Sequence, residues 1–363
     1  MPRKSKAPVG DGQLAHAGRS ARAADASRRA VLRSLISAIG VAALGGCARL
    51  AGPSVQLDVP DLAVNPTLLV ATTRKPVEDG QPERWFGSER AARMSIARAK
   101  LTPPPADSGR ISLASMTAED WRLESVETVP HVSSLLVDTT GLRDVLVYVH
   151  GYNQSFETAA LDAVHVSDGI RFHGETMLFS WPSRAKLFDY GYDRESAMWS
   201  RDALDQVLSA LIASPNVRRV HVVAHSIGTM LTMESLRQLY ARRGAVAARK
   251  IGAIICASPD IDMDVFASSV KRIGPLAKKI TVITAANDRA LAVASWIAGG
   301  VKRVGAAEKE ALEKMGLQVV DASQEGWGVL NHDLFLSNAN IWKVIRAAID
   351  ARVADARAGQ TPS

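Results

Sequence analysis

The sequence contains almost no cysteine, with two residues in a chain of 363. Cys47 lies near the start of the chain, and Cys256 lies far from it within a run of aliphatic residues. This number excludes a disulfide framework and a metal site built from cysteines. We predict that Cys256 is a small, buried apolar side chain and not a reactive thiol.

Basic charge is also scarce over most of the chain, although the whole sequence has a formal net charge of +7. Residues 1–46 contain eight Lys and Arg and two Asp and Glu, which gives +6. The totals of 44 basic and 37 acidic residues therefore leave 36 basic and 35 acidic residues, or +1, for residues 47–363. This balance predicts no basic face, so charge gives no support for a function in binding nucleic acid or a membrane surface.

The first part of the chain lacks an apolar run long enough to cross a bilayer, which takes about 20 residues. Residues 27–33 resemble a twin-arginine export signal, 13 uncharged residues follow at positions 34–46, and residues 44–47 resemble a lipobox. This order predicts a cleaved signal peptide over residues 1–46 and a lipid anchor on Cys47. The alternative is an N-terminal amphipathic helix with a buried cysteine.

Residues 47–66 contain one glycine and three prolines and show no sustained hydrophobic period. They are predicted to form a flexible tether. Together with a lipid on Cys47, this organisation predicts an exported lipoprotein of the cell envelope that is anchored to a membrane and faces the periplasm.

The most informative stretch places Ser226 at the end of a strand-like, valine-rich run at residues 218–225 and before a helical pattern. Where small residues lie two positions before and after a serine at a strand-to-helix junction, the chain turns sharply and projects the hydroxyl above the sheet. Ala224 and Gly228 occupy those positions, and Ala224 departs from the usual glycine by one methyl group. We therefore predict that Ser226 is a catalytic nucleophile.

Two partners for a serine nucleophile follow in the chain order Ser, acid, His that α/β hydrolases use. Asp288 comes just after a predicted strand at residues 279–284 and would orient the base, with Asp260 and Asp262 as alternative acids. His332 follows the last predicted strand and would act as the general base.

An oxyanion hole is predicted from the loop that follows the buried strand at residues 144–149. In α/β hydrolases this loop and the residue after the nucleophile each supply one backbone N–H donor. The donors here would be Tyr152, or its neighbour Gly151, and Ile227. His150, at the start of the loop, is predicted to be a buried histidine that orients the loop, and not a catalytic group.

Strand-like runs alternate with helical patterns over residues 67–358, which predicts one α/β domain with a mainly parallel central sheet flanked by helices. Residues 102–143 are predicted to be a lid or a plain connection, and residues 84–90 receive no role. The carboxylates at 260–264 lack the glycine and the distant glutamate of a calcium loop, so no metal site is predicted. No cofactor is expected.

Eight short motifs are dispersed along the chain, at residues 71–74, 86–90, 150–153, 180–183, 192–197, 225–228, 259–262 and 287–291. With these motifs, residues 68–349 resemble a bacterial α/β-hydrolase family, domain of unknown function 900, which is described as esterase-like or lipase-like. The resemblance implies the α/β-hydrolase fold and a serine hydrolase, and it leaves the substrate open.

The expected function is hydrolysis of a small-molecule or lipid carboxylic ester through a Ser-His-Asp triad and a covalent acyl-enzyme. One alternative is an amidase or acyltransferase with the same triad. The other is a catalytically silent envelope lipoprotein that uses the fold as a binding module. The presence of all three triad residue types in order favours an enzyme.

Overall fold

The computed structural model describes most of the chain after residue 66. The predicted signal peptide at 1–46, the tether at 47–66 and the lipid-anchored Cys47 lie outside the described residues and stay predictions. The described residues are 67–77, 84–103, 121–135, 141–186, 188–285, 291, 294–295, 300–323 and 334–358.

The described residues form one nine-stranded sheet. Its strands are β1 (Thr67–Pro76), β2 (Phe86–Thr102), β3 (Arg122–Val129), β4 (Arg143–Val149), β5 (Glu175–Ser180), β6 (Val217–His225), β7 (Ile251–Ala257), β8 (Ile280–Thr284) and β9 (Gln318–Asp321). Their order across the sheet is β3-β2-β1-β5-β4-β6-β7-β8-β9. The pairs β1/β2 and β2/β3 are antiparallel, and the remaining neighbours are parallel. The predicted mainly parallel sheet is confirmed.

Helices cover both faces of this sheet. They are α1 (Phe156–Gly169), α2 (Tyr190–Trp199), α3 (Arg201–Ala213), α4 (Ile227–Lys250), α5 (Met263–Arg272), α6 (Lys309–Glu313), α7 (Leu334–Ser337) and α8 (Ala339–Ala358). Gly244, with φ 42°, interrupts the helical backbone of α4. Within the part of the chain that the structure describes, no helix has the length and apolar composition to cross a membrane.

The two faces of the sheet are both apolar. In β1, Leu69 and Ala71 belong to one core, and Leu68 and Val70 belong to the other. Side chains of α3, α4 and α5 complete the first core, and side chains of α1, α7 and α8 complete the second. Because both faces are covered, the central strands are rich in apolar residues on both sides, which is typical of buried parallel strands.

The antiparallel edge of the sheet goes beyond the prediction. β2 includes residues 86–90, which had received no role. β3 lies within the predicted lid or connection, and Leu123 is its only fully buried residue. A strand at the edge that buries so little has no apolar run, so hydrophobic periodicity does not reveal it.

Parallel pairing brings the carboxyl ends of β4 to β9 to the same edge of the sheet. The loops after these strands therefore meet there, which is where open α/β sheets bind their ligands. The predicted nucleophile and oxyanion donors belong to these loops or to the first turn of the helix that follows, and the predicted acid, Asp288, follows β8 in the sequence.

Candidate active site

Ser226 lies at a sharp turn between β6 and α4. Its backbone angles are φ 51° and ψ −121°, a combination that residues with a Cβ rarely adopt. The N–H of Ser226 donates to Ala257 O at 3.0 Å, and its carbonyl accepts from the N–H of Asp260 at 3.1 Å. The end of β7 thus holds the strained turn in place. The predicted strand-to-helix turn is confirmed, and the nucleophilic role of Ser226 stays a prediction.

Space beside this turn restricts the side chain at position 228. A Cβ on Gly228 would lie 2.5 Å from His150 O and 2.7 Å from Val149 O, closer than real Cβ atoms approach backbone oxygens. The carbonyl groups it would meet end β4 and begin the next loop. The predicted need for a small residue two positions after Ser226 is confirmed.

Replacing Gly228 with alanine should lower the free energy of unfolding by about 1–3 kcal/mol, because the added methyl group must displace backbone at the end of β4. Urea unfolding followed by circular dichroism measures this change. Gly191→Ala in α2 is the matched control, since nothing lies within 4 Å of its Cβ position and alanine favours a helix more than glycine does. Equal stability of Gly228→Ala and wild type would contradict the crowding at this turn.

The loop after β4 is oriented by a buried histidine. The rings of His150 and Trp181 stack with centroids 4.6 Å apart. His150 Nε2 accepts from the N–H of Trp181 at 3.0 Å, so Nδ1 holds the proton and donates to Gly151 O at 2.8 Å. Burial, together with the nearby Arg74 guanidinium, holds the pKa of His150 well below its usual value and keeps the ring neutral. The predicted role of His150 in orienting the loop is confirmed.

These contacts also direct backbone N–H groups near Ser226. In a trans peptide the C=O and N–H point in opposite directions, so the N–H of Tyr152 points away from the His150 ring that binds Gly151 O. A Cβ on Gly151 would lie 3.1 Å from Ser226 Cβ, which shows that the loop packs against the serine. Ile227 begins α4, where a helix leaves its first N–H groups without an intrahelical acceptor. The two predicted oxyanion donors thus lie in segments that contact or adjoin Ser226.

Backbone strain is concentrated at this edge of the sheet. Four non-glycine residues that follow β4, β5, β6 and β7 have positive φ, namely Asn153 at 62°, Ala185 at 52°, Ser226 at 51° and Ser258 at 43°. Such conformations persist only where the surrounding structure determines them, and they cluster at functional sites. The distribution of strain therefore supports a site at the carboxyl ends of the strands.

The two alternative acids have protein partners of their own. Asp260 lies 3.1 Å from Arg303 in an ion pair and accepts a hydrogen bond from Tyr190 Oη at 2.8 Å. Asp262 accepts from the N–H of Val265 at 2.9 Å and caps α5. Both carboxylates therefore bind partners within the protein. No group of three or more metal-ligating side chains occurs among the described residues.

Three predicted residues lie outside the described residues: the acid Asp288, the base His332 and the lipidation site Cys47. Their positions stay predictions. The described residues on both sides of Asp288, and those that follow His332, lie near the serine turn.

The chain leaves β8 beside the loop that contacts the serine turn. The N–H of Ala285 donates to Gly305 O at 2.9 Å, and the N–H of Gly305 donates to Pro259 O at 2.9 Å. Leu291 also packs here, because a Cβ on Gly305 would lie 2.4 Å from Leu291 Cδ1. Pro259 directly precedes the residue whose N–H binds Ser226 O. Both ends of the segment that includes the predicted acid therefore lie close to the turn.

The chain after the predicted base is anchored on the nucleophile strand. The ring of Phe335 lies 4.5 Å from the ring of His225 and 6.4 Å from that of Tyr148, measured between centroids. Phe335 is buried, and its carbonyl accepts from Trp342 Nε1 at 2.8 Å. Because His225 directly precedes Ser226, α7 begins close to the serine turn.

Two buried charged residues at this edge lie in the motifs at 71–74 and 192–197, but the sequence analysis gave them no role. Arg74, near the end of β1, is 1% exposed, and Asp193, in α2, has no exposed surface. The available signal was an arginine in β1, separated from its apolar run by two residues. The partner of a buried charge depends on distant parts of the chain, so a local pattern could not show what these two residues contact.

The sheet order, the strained serine turn and the loop packed against it define the α/β-hydrolase fold. The family model described as "Alpha/beta hydrolase of unknown function" (DUF900) matches residues 132–349, more than half of the chain. The chain therefore belongs to this α/β-hydrolase family. The predicted resemblance is confirmed over residues 132–349, which include six of the eight motifs, and the motifs at 71–74 and 86–90 lie outside the matched residues.

Individual relatives are distant. An uncharacterized protein of Nostoc sp., alr1448, is 26% identical over a match covering 27% of this chain and 32% of the relative. The chain thus matches about a third of the length of this curated relative. An acetylxylan esterase is 10% identical, with 59% of this chain and 100% of that chain covered and a TM-score of 0.35. An ester-hydrolase from the metagenome of Lake Arreo is 13% identical, with 89% and 97% covered and a TM-score of 0.38.

Proposed function

We propose that the protein is a serine hydrolase that cleaves carboxylic esters, with Ser226 as the nucleophile. The observation that supports this best is the strained turn, because φ 51° and ψ −121° at a non-glycine residue are unfavourable unless the serine must be presented above the sheet. A loop with backbone donors packs against the same residue. Acyl transfer through a serine needs a presented nucleophile and oxyanion donors at the same place.

His332 is the proposed general base. It lies three residues before Phe335, whose ring packs on His225 next to the serine. Three residues of chain span at most about 11 Å. The anchored position of Phe335 therefore supports a base that can reach Ser226.

Asp288 is the proposed acid that orients the base. The segment around it begins at Ala285 and ends at Leu291, and both flanking residues contact Gly305 beside the serine turn. Asp260 is the rival, but its carboxylate is already bound by Arg303 and by a tyrosine hydroxyl. The existing partners of Asp260 favour Asp288.

In the proposed reaction, His332 takes the proton of Ser226 as the serine oxygen attacks the ester carbonyl carbon. The N–H groups of Tyr152 and Ile227 stabilise the oxyanion that forms, and Asp288 holds the imidazole in the required tautomer. The alcohol then leaves with the proton from His332, and an acyl-enzyme remains. A water molecule, deprotonated by His332, attacks the acyl carbon, and the acid leaves as the Ser226 oxygen takes that proton back from His332, so each step uses protein groups and water alone.

We also propose that the protein acts in the cell envelope, tethered by a lipid on Cys47. The order of basic, apolar and small residues before that cysteine supports this location. A tether of residues 47–66 would hold the enzyme next to lipid esters as well as soluble ones.

A panel of p-nitrophenyl esters, from acetate to palmitate, tests the proposed activity on the purified protein. Hydrolysis with a preferred chain length would support an esterase and would separate short-chain from lipase-like specificity. Turnover of p-nitroanilides in place of esters would favour an amidase. Failure to turn over either class, with no labelling of Ser226 by a fluorophosphonate, would favour the silent binding module.

Asp288→Asn should lower kcat by about 10⁴-fold, because asparagine leaves the base in the wrong tautomer. Asp260→Asn should lower kcat far less, since its contacts are with Arg303 and Tyr190. Steady-state kinetics on the best ester compares the two variants, with near-UV circular dichroism to show that each is folded. A 10⁴-fold loss in folded Asp260→Asn, with Asp288→Asn unimpaired, would assign the acid to Asp260 instead.

A further inference from the structure

We propose that Asp193 and Arg74 are positioning residues that fix the oxyanion loop, residues 151–154, by binding its backbone from two sides. This inference rests on the proposed function, because it concerns the donor that stabilises the oxyanion. It assigns a role in the reaction to two buried charges that are not part of the triad.

Arg74 binds backbone carbonyl groups. Its Nη2 donates to Gln154 O at 2.7 Å, and its Nη1 donates to Ser183 O at 3.0 Å and to Gly87 O at 3.1 Å. Its Nε donates to Ser180 Oγ at 2.8 Å. One guanidinium thus joins the loop after β4, the loop after β5 and the start of β2.

Asp193 binds the amide groups of the same two loops. Its Oδ2 accepts from the N–H of Asn153 at 3.3 Å and from Ser183 Oγ at 2.5 Å, and its Oδ1 accepts from the N–H of Arg184 at 2.9 Å. Ser183 Oγ in turn accepts from the N–H of Gln154 at 3.0 Å. Arg74 therefore donates hydrogen bonds to carbonyl groups of these loops, and Asp193 accepts hydrogen bonds from their backbone N–H groups.

These hydrogen bonds restrain the backbone around Tyr152, the proposed oxyanion donor. The peptide that precedes it is fixed by the bond from His150 Nδ1 to Gly151 O, and the peptide that follows it is fixed by the bond from Asn153 N–H to Asp193. A donor whose two neighbouring peptides are both held cannot rotate away from the serine. Asn153 has φ 62°, so the loop needs such restraint.

The electrostatic setting agrees with this geometry. Burial raises the pKa of Asp193, while its hydrogen bonds from Ser183, Arg184 and Asn153 act in the opposite direction. A buried carboxylate is unfavourable unless its hydrogen bonds compensate for the lost water. Here the donors of those compensating hydrogen bonds belong to the two loops, so the buried carboxylate holds the loops in position.

The test is the kinetics of Asp193→Asn on the best p-nitrophenyl ester. In the wild type, three donors bind the two carboxylate oxygens of Asp193, whereas asparagine offers them a single oxygen, so the loop should shift. We expect kcat to fall about 100-fold, with KM within about threefold of wild type. The affinity of a trifluoromethyl ketone, which forms the oxyanion with the serine, should fall by about the same factor as kcat. A purely structural role would not separate kcat from KM in this way.

Asp205→Asn is the matched control. Asp205 is a buried carboxylate of α3 that pairs with Arg242 on α4, away from both loops. It should lose stability comparable to Asp193→Asn and keep kcat near the wild-type value. If folded Asp193→Asn keeps a wild-type kcat, or loses no more than Asp205→Asn, the positioning role is overturned.

A milder variant keeps the test decisive if Asp193→Asn does not fold. Ser183→Ala removes the hydroxyl that joins Asp193 to the N–H of Gln154, and kcat should fall about 10-fold with KM unchanged. Wild-type kcat in Ser183→Ala would overturn the proposal. Wild-type protein that hydrolyses no ester would overturn the proposed function and this inference together, whereas active wild type with unimpaired variants would overturn the inference alone.

Discussion

Ser226→Ala should lower kcat for the best p-nitrophenyl ester by about 10⁶-fold, to the level that binding and the oxyanion donors alone provide. The reason is that no covalent acyl-enzyme can form without the serine oxygen. Alanine fits the turn as serine does, because the Cβ is already accommodated at φ 51° and ψ −121°. The free energy of unfolding should therefore change little. Stopped-flow and steady-state assays of p-nitrophenol release measure both the burst and the turnover.

Ser235→Ala is the control for this substitution. Ser235 is a buried serine of the same helix, α4, and its hydroxyl oxygen lies 2.9 Å from both Arg201 O and Leu231 O, either of which can accept its hydrogen bond. That variant should keep wild-type turnover and fluorophosphonate labelling. Ester hydrolysis that survives Ser226→Ala would show that the nucleophile is another residue and that the strained turn serves a different purpose.

His332→Ala should lower kcat by a similar factor, about 10⁶-fold, because the serine hydroxyl is a weak nucleophile without an adjacent base. The fluorophosphonate reaction of Ser226 should slow in parallel, since it needs the same proton transfer. The double variant Ser226→Ala/His332→Ala should be no slower than either single variant, because the triad acts as a unit.

His173→Ala is the matched control for the histidine. His173 is exposed and lies just before β5, at the opposite edge of the sheet from the serine turn. Its kcat should equal that of the wild type at each pH tested. If His332→Ala retains more than about one hundredth of wild-type kcat, the general base is another group, since acid–base catalysis contributes at least about 10²-fold.

Local sequence patterns predicted the centre of this protein well. Residues 220–223 before Ser226 and residues 145–149 before His150 are buried on both faces of a parallel sheet, which favours apolar residues at nearly every position. The small residue at position 228 follows from steric exclusion by the backbone of β4. These requirements act on consecutive residues, and a pattern can therefore record them.

Other elements left little trace in the local pattern. β3 is an edge strand with one fully buried residue, and its sequence shows no apolar run. α1 was also not predicted, although Ser155 and Thr158 form a capping box at its start. A capping box consists of two polar residues, so a search for hydrophobic periodicity does not detect it.

The sequence by itself determined the α/β fold class, the mainly parallel sheet, the strained serine turn and the family, because each depends on residue types at fixed spacing. Only the tertiary structure decided which charges meet. It paired Asp260 with Arg303, and it brought Arg74 and Asp193 to the backbone of the same two loops. Hydrogen bonds and ion pairs form between residues that the fold brings together from distant parts of the chain, and spacing along the sequence does not encode that proximity.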